Sequence, residues 1–122
     1  MTLQEVDVFI EQGESDTLEF KKSTAELASA LKTLCGLLNR NGGKVLLGVT
    51  DNKRIVGQDI SDQTRLEIAN AIKKIEPAPV VDVDYVNVPH STRQVILLTA
   101  YHDEYAIPYT FEGKAETFAN SE

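Results

Sequence analysis

Apolar positions along this chain follow two spacings, and the changes between them mark its elements. Leu3, Val6 and Ile10 fall on one face of a helix, Thr2 with Glu5 forms a capping box ahead of them, and Gly13 closes the segment. Residues 17–21 alternate polar and apolar with β-type side chains, which predicts a strand. Ser23 with Glu26 is a second capping box. Over residues 25–39, Leu27, Leu31, Leu34 and Leu38 keep one helical face, with Cys35 beside it. Asn41-Gly42-Gly43 can supply the positive-φ positions that stop a helix and reverse the chain. The nearly continuous apolar run of residues 44–49 then predicts a central strand buried on both faces.

The second half is read in the same way. Asp51-Asn52 signals a turn, and residues 54–56 a short return strand ended by Gly57. Residues 61–75 predict a helix with Leu66, Ala69, Ile72 and Ile75 on its buried face and Lys73 and Lys74 in its last turn, where cations suit the helix dipole. Pro77 and Pro79 end it. Residues 80–88 and 94–100 read as a hairpin around Pro89, His90 and Ser91, residues 101–110 as a loop, and residues 113–119 as the start of one more strand. The sum is an α/β or α+β domain: a mixed sheet of about five to six strands packed with two main helices and a short N-terminal one.

Length, composition and charge narrow the class. With 122 residues and 42% hydrophobic content, the chain makes one domain with a core of its own, and no apolar run approaches the roughly 20 residues that span a bilayer. The single Cys35 cannot form an internal disulfide and suits a reducing compartment, with the cytoplasm as default. A net charge of −7 argues against a surface that is basic throughout. Charge is unevenly spread, however. Residues 1–20 are acidic without a base, and the basic stretch that follows holds Lys21, Lys22, Lys32, Arg40 and Lys44.

Two clusters carry candidate chemistry. Glu19 lies on the first predicted strand, Glu14 just ahead of it, and Asp51 at the end of the next, so parallel strands would gather three carboxylates. Hard oxygen ligands with room for water suit Mg²⁺ or Mn²⁺ in phosphodiester hydrolysis, although acids at turns are common without any such role. Lys21, Lys22, Arg40 and Lys44 are candidate phosphate contacts, and Lys21 falls near a helix start, where free N–H groups attract anions. Solubilising surface charge is the plainer reading. Asn41-Gly42-Gly43-Lys44 is not a Walker A loop: Leu38 stands where the first Gly belongs, Val45 follows the Lys, and the order is helix to strand. His90 and His102 have no partners at zinc-ligand or triad spacing, and His102-Asp103 reads as surface loop.

The combination of Glu14-Ser15-Asp16-Thr17-Leu18-Glu19-Phe20-Lys21-Lys22 with Gly42-Gly43-Lys44-Val45-Leu46-Leu47-Gly48-Val49-Thr50-Asp51-Asn52 and Ile55-Val56-Gly57 resembles the Schlafen AlbA-like domain, formerly described as a divergent AAA ATPase domain, across nearly the whole chain. The resemblance implies an α/β core and a DNA-binding module of transcriptional regulators or RecG-helicase-related proteins. It also implies a domain isolated from, or shortened relative to, a longer protein with a C-terminal effector region. Some relatives cleave structured RNA with three acids; Glu14 and Glu19 keep that spacing and Asp51 is a looser match for the third. After Gly113-Lys114-Ala115 the chain departs from the family's aromatic, Arg and Gly-Ser pattern.

Three functional expectations follow. The first is a nucleic-acid-binding domain, for DNA or RNA, in which Lys21, Lys22, Arg40 and Lys44 contact phosphates while Gly42 and Gly43 allow close backbone approach. The second is a metal-dependent endonuclease with Glu14, Glu19 and Asp51 as catalytic and metal-binding residues, its cofactor being Mg²⁺ or Mn²⁺. The third is a regulatory or oligomerisation module, with a homodimer among its forms, that binds a protein partner or, by a route other than a Walker A loop, ATP or another nucleotide. Membrane association is not expected.

Overall fold

The computed structural model describes residues 2–106 and 108–115. Its first helix, α1 (Leu3–Gln12), is capped as expected, the Thr2 hydroxyl accepting from the Glu5 N–H at 3.3 Å. Strand β1 (Leu18–Lys21) follows. The Ser23–Glu26 signal produces a variant of its box: Ser23 accepts from the Ala25 N–H, and the Glu26 carboxylate accepts from the Lys22 N–H at 2.9 Å. These bonds hold one 3₁₀ turn (Thr24–Glu26) that leads into α2 (Leu27–Leu38). The expected face of α2 is the buried one, with Leu31, Leu34, Cys35 and Leu38 fully enclosed.

Strand β2 (Gly43–Leu47) runs parallel to β1, and α2 is the crossover between them. The hairpin of β4 (Val81–Asn87) and β5 (Gln94–Ala100) completes a four-stranded mixed sheet in the order β1-β2-β5-β4, with β5 antiparallel to β2. Period-2 alternation divides the sheet's side chains between two layers. Val45, Leu47, Ile96 and Leu98 pack under α2 and α3 (Asp62–Ile72), while Leu18, Phe20, Leu46 and Leu97 pack against Val6 and Ile10 of α1. The expected burial of β2 on both faces is met.

The remaining strands form a second, small sheet. β3 (Ile75–Glu76), β6 (Thr110–Phe111) and β7 (Lys114–Ala115) pair antiparallel, and buried Ile75 and Phe111 extend the main core beneath α2. Asn39 fixes this flap: its amide donates to the Tyr109 carbonyl and accepts from the Tyr109 N–H. The mixed α/β class therefore holds, with the strands shared between two sheets.

Two expectations need correction. The face assigned to α3 is wrong, because Leu66 is 53% exposed and Ala69 is exposed, whereas Ile68 and Ala71 are buried. The helix stops at Ile72, so Ile75 reaches the core from a strand, and the buried row runs through 68, 71 and 72. The expected return strand at residues 54–56 is a single bridge between Val49 and Ile55. Of the last expected strand, Lys114 and Ala115 form β7, and residues 116–119 lie outside the described residues. Among the described residues no helix is long and apolar enough to cross a membrane.

Candidate functional site

Glu14 and Glu19 meet because of a turn. The chain before β1 doubles back along that strand's free edge, with the Ser15 N–H donating to the Leu18 carbonyl at 2.9 Å and the two residues bridged antiparallel. One step outward in that register, Glu14 stands opposite Glu19. The five-residue spacing is thus a hairpin spacing, and it brings together two carboxyls that a straight strand would separate. The Phe20 N–H donates to Glu14 Oε2 at 3.1 Å and anchors the first of them.

Glu19 is only a quarter exposed. Burial, above all, and the adjacent Glu14 carboxyl, through charge and a hydrogen bond, push its pKa up from 4.5 to about 7, with Asp51 adding a smaller push and Lys21 opposing. Lys21 Nζ lies 3.8 Å from Glu19 Oε1 and donates to Ser29 Oγ on α2 at 3.0 Å. Its ammonium is therefore held beside Glu19 by a neighbouring helix.

Asp51 reaches the same place from β2. The chain leaves that strand into a turn closed by the Thr50 N–H on the Arg54 carbonyl at 2.9 Å and by the Arg54 N–H on Thr50 Oγ1 at 3.1 Å. Lys53, at φ +67, donates from Nζ to the Glu11 carbonyl and ties the turn to the end of α1. Glu14, Glu19 and Asp51 accordingly line one open cleft of about 690 Å³ at the C-terminal ends of the parallel strands β1 and β2, where open α/β sheets commonly bind ligands. Lys21, Lys22, Glu26, Thr50, Asn52 and Arg54 share it. The donor set is chemically suited to a hard divalent cation. As the side chains stand, no three carboxylates among the described residues are close enough together to enclose one.

The basic residues divide. Lys21 and Lys22 are at the cleft, but Lys44 pairs in register with Leu18 at the other end of the strands and sits over the Phe9 ring at 5.2 Å, and Arg40 reaches Asp16 at 4.0 Å. Gly42 and Gly43 are there as well, and the fold itself requires them. Gly42 has φ +82, and a Cβ on it would lie 2.6 Å from the Ala100 carbonyl oxygen; one on Gly43 would lie 2.7 Å from that of Thr17. They serve close approach of backbone to backbone. His102 also has a structural job, its Nδ1 lying 2.9 Å from the Leu38 carbonyl at the end of α2.

Arg54 and Asn52 belong to the cleft and escaped the sequence reading. The signal was present, since the Asp51-Asn52 turn that carries Asp51 to the end of β2 necessarily carries Arg54 with it. A short return strand was expected there, and that assignment hid the role of the turn.

Comparison with known proteins agrees with this architecture. No curated protein matches the chain. Among solved structures, the chain is similar to the N-terminal domain of a protein from Nitrosomonas europaea whose name relates it to the ATP-dependent DNA helicase RecG, with a TM-score of 0.69, 16% identity, and coverage of 96% of this chain and 88% of that one. It is also similar to the DIP2311 protein from Corynebacterium diphtheriae, with a TM-score of 0.55 and 18% identity over 92% of this chain and 24% of that one. Likeness at such identity concerns the fold. Residues 14–119 match the Schlafen, AlbA_2 family over a span from the first cleft carboxylate to beyond the small sheet, and the chain belongs to that family.

Proposed function

We propose that this domain binds nucleic acid through the cleft at the C-terminal ends of β1 and β2, as the DNA-binding module of a transcriptional regulator or RecG-related protein. One observation carries the reading: Lys21 and Lys22 share a concave site with polar groups of the Thr50–Arg54 turn. Family membership and the likeness to a RecG-related N-terminal domain support association with nucleic acid in general. Phosphate contacts of this kind are sensitive to salt. With about three of them on a single strand, log K falls with log[salt] at a slope of roughly −2, so doubling the salt weakens binding about fourfold. Fluorescence anisotropy with labelled single- and double-stranded DNA and RNA in EDTA measures this, and affinity indifferent to salt overturns the reading.

A second reading, a nuclease dependent on Mg²⁺ or Mn²⁺, is favoured by the gathering of Glu14, Glu19 and Asp51 in the same cleft. Its expectation is shortening of an RNA or DNA probe on addition of either ion, lost in Glu19→Ala. Cleavage that persists in that variant removes the carboxylates from the chemistry.

A further inference from the structure

The cleft holds more charge than its internal contacts neutralise. Glu14, Glu19, Glu26 and Asp51 share it with Lys21, Lys22 and Arg54, yet among the described residues the one ion pair within it is Lys21 with Glu19. Elsewhere the arginines are engaged. Arg40 reaches Asp16, Arg65 lies over the Tyr85 ring at 4.0 Å, and Arg93 donates to the Val56 carbonyl. Arg54 is the arginine among the described residues whose guanidinium has no such partner.

Its backbone, in contrast, is fixed. Two of the hydrogen bonds that close the turn use the Arg54 main chain, and Lys53 pins the same turn to α1. A guanidinium on a braced backbone loses less freedom on binding than one on a loose loop. Lys22 is braced in the same sense, through its N–H on the Glu26 carboxylate, and its ammonium is also without a partner. Both side chains are exposed in the lining of the cleft, as Glu14 and Asp51 are, whereas Glu19 is half-buried. Anionic groups of a ligand are repelled by the cleft's carboxylates and attracted by these two exposed cations. Of these two cations, only the guanidinium presents the planar fork of donors that matches two phosphate oxygens at once.

We propose that Arg54 is the phosphate-gripping residue of this cleft, its guanidinium taking a backbone phosphodiester in a two-pronged hydrogen bond while Lys22 supplies a second, non-directional positive charge. The inference rests on the nucleic-acid reading above and names the residue that sets how a strand lies across the site.

The test compares wild type, Arg54→Ala, Arg54→Lys and Lys73→Ala in anisotropy titrations against a labelled single-stranded DNA and a labelled RNA over a range of salt. Lys73, at the end of α3, is likewise unpartnered and lies outside the cleft, so its loss changes net charge equally without touching the site. Arg54→Ala is expected to weaken binding about tenfold and to reduce the salt slope by roughly 0.7, the share of one phosphate on a single strand. Arg54→Lys should restore the slope but not the full affinity, and Lys73→Ala should match wild type. Thermal unfolding of Arg54→Ala should be unchanged, because its side chain bonds to nothing in the fold. If Arg54→Ala keeps wild-type affinity and slope, or if Lys73→Ala loses as much, the assignment of Arg54 is wrong while the nucleic-acid reading stands. Wild type that binds neither probe at any salt overturns both.

Discussion

Glu19 costs the fold stability in the pH range over which its carboxyl ionises. Its ordinary value is 4.5 and its value in the folded chain is about 7, so the folded state holds the proton more tightly than the unfolded one. The favourable contribution is therefore fully present below about pH 4.5 and is lost progressively as pH rises to about 7. The full shift overstates this loss, because a quarter of the side chain is exposed and solvent screens its neighbours. An effect on the order of 1 kcal/mol remains. Glu19→Gln removes the ionisation, so urea unfolding should show the variant gaining about that much on wild type between about pH 5 and about pH 8. Parallel pH profiles for the two proteins would mean that Glu19 titrates as an ordinary surface acid. The pairing behind this effect is only half legible in the sequence. A Glu pair five apart with Ser and Thr between them is visible, but its meaning depends on the Ser15–Leu18 bridge, a turn whose register no periodicity reports.

At the scale of elements, legibility followed burial. α2 and β2 were read correctly because they are enclosed on more than one side, and the enclosed positions must be apolar whatever lies above them. α3 covers one side of the core and buries few residues, so its pattern admits more than one stripe, and the row through Leu66 and Ala69 competed with the true row through Ile68 and Ala71. The helix begins on a Ser61–Thr64 capping box, which fixes where it starts but not which face it turns inward. Two substitutions separate the stripes. Leu66→Lys should leave stability within about 0.5 kcal/mol of wild type, as surface changes do. Ile68→Ala, which empties a fully enclosed position beside Ile75 and α2, should cost roughly 2–4 kcal/mol. Urea midpoints at unchanged slope measure both. Equal losses would mean that α3 packs in another rotation. The small sheet was illegible for a related reason: its two-residue strands are too short to show alternation, and they exist because Asn39 holds Tyr109 and because Ile75 and Phe111 reach the common core.

The whole molecule decides which basic residues act together, and here sequence proximity misled. Lys21, Lys22, Arg40 and Lys44 form one stretch of chain, but the βαβ crossover carries the second pair back to the start of the strands. Lys44 pairs with Leu18, three residues from Lys21 along β1, a separation of about 10 Å at the usual rise per residue. That exceeds the roughly 8 Å Debye length at physiological ionic strength, so the two ends attract a polyanion nearly independently. With a net charge of −7 over the whole chain, neither end can draw on a general positive field, and whichever end binds must do so with its own few cations. The cleft end has Lys22 and Arg54 without partners, whereas at the other end Arg40 is met by Asp16 and Lys44 by Phe9. Lys22→Ala should therefore weaken binding of a labelled single strand and lower its salt slope by roughly 0.7, while Arg40→Ala combined with Lys44→Ala, despite removing two charges, should leave the slope unchanged. The reverse result would move the interface to the start of the strands and return Gly42 and Gly43 to consideration as part of it. Equal losses from both would mean that the bound strand runs the length of β1 and β2, in contact with the cations at each end.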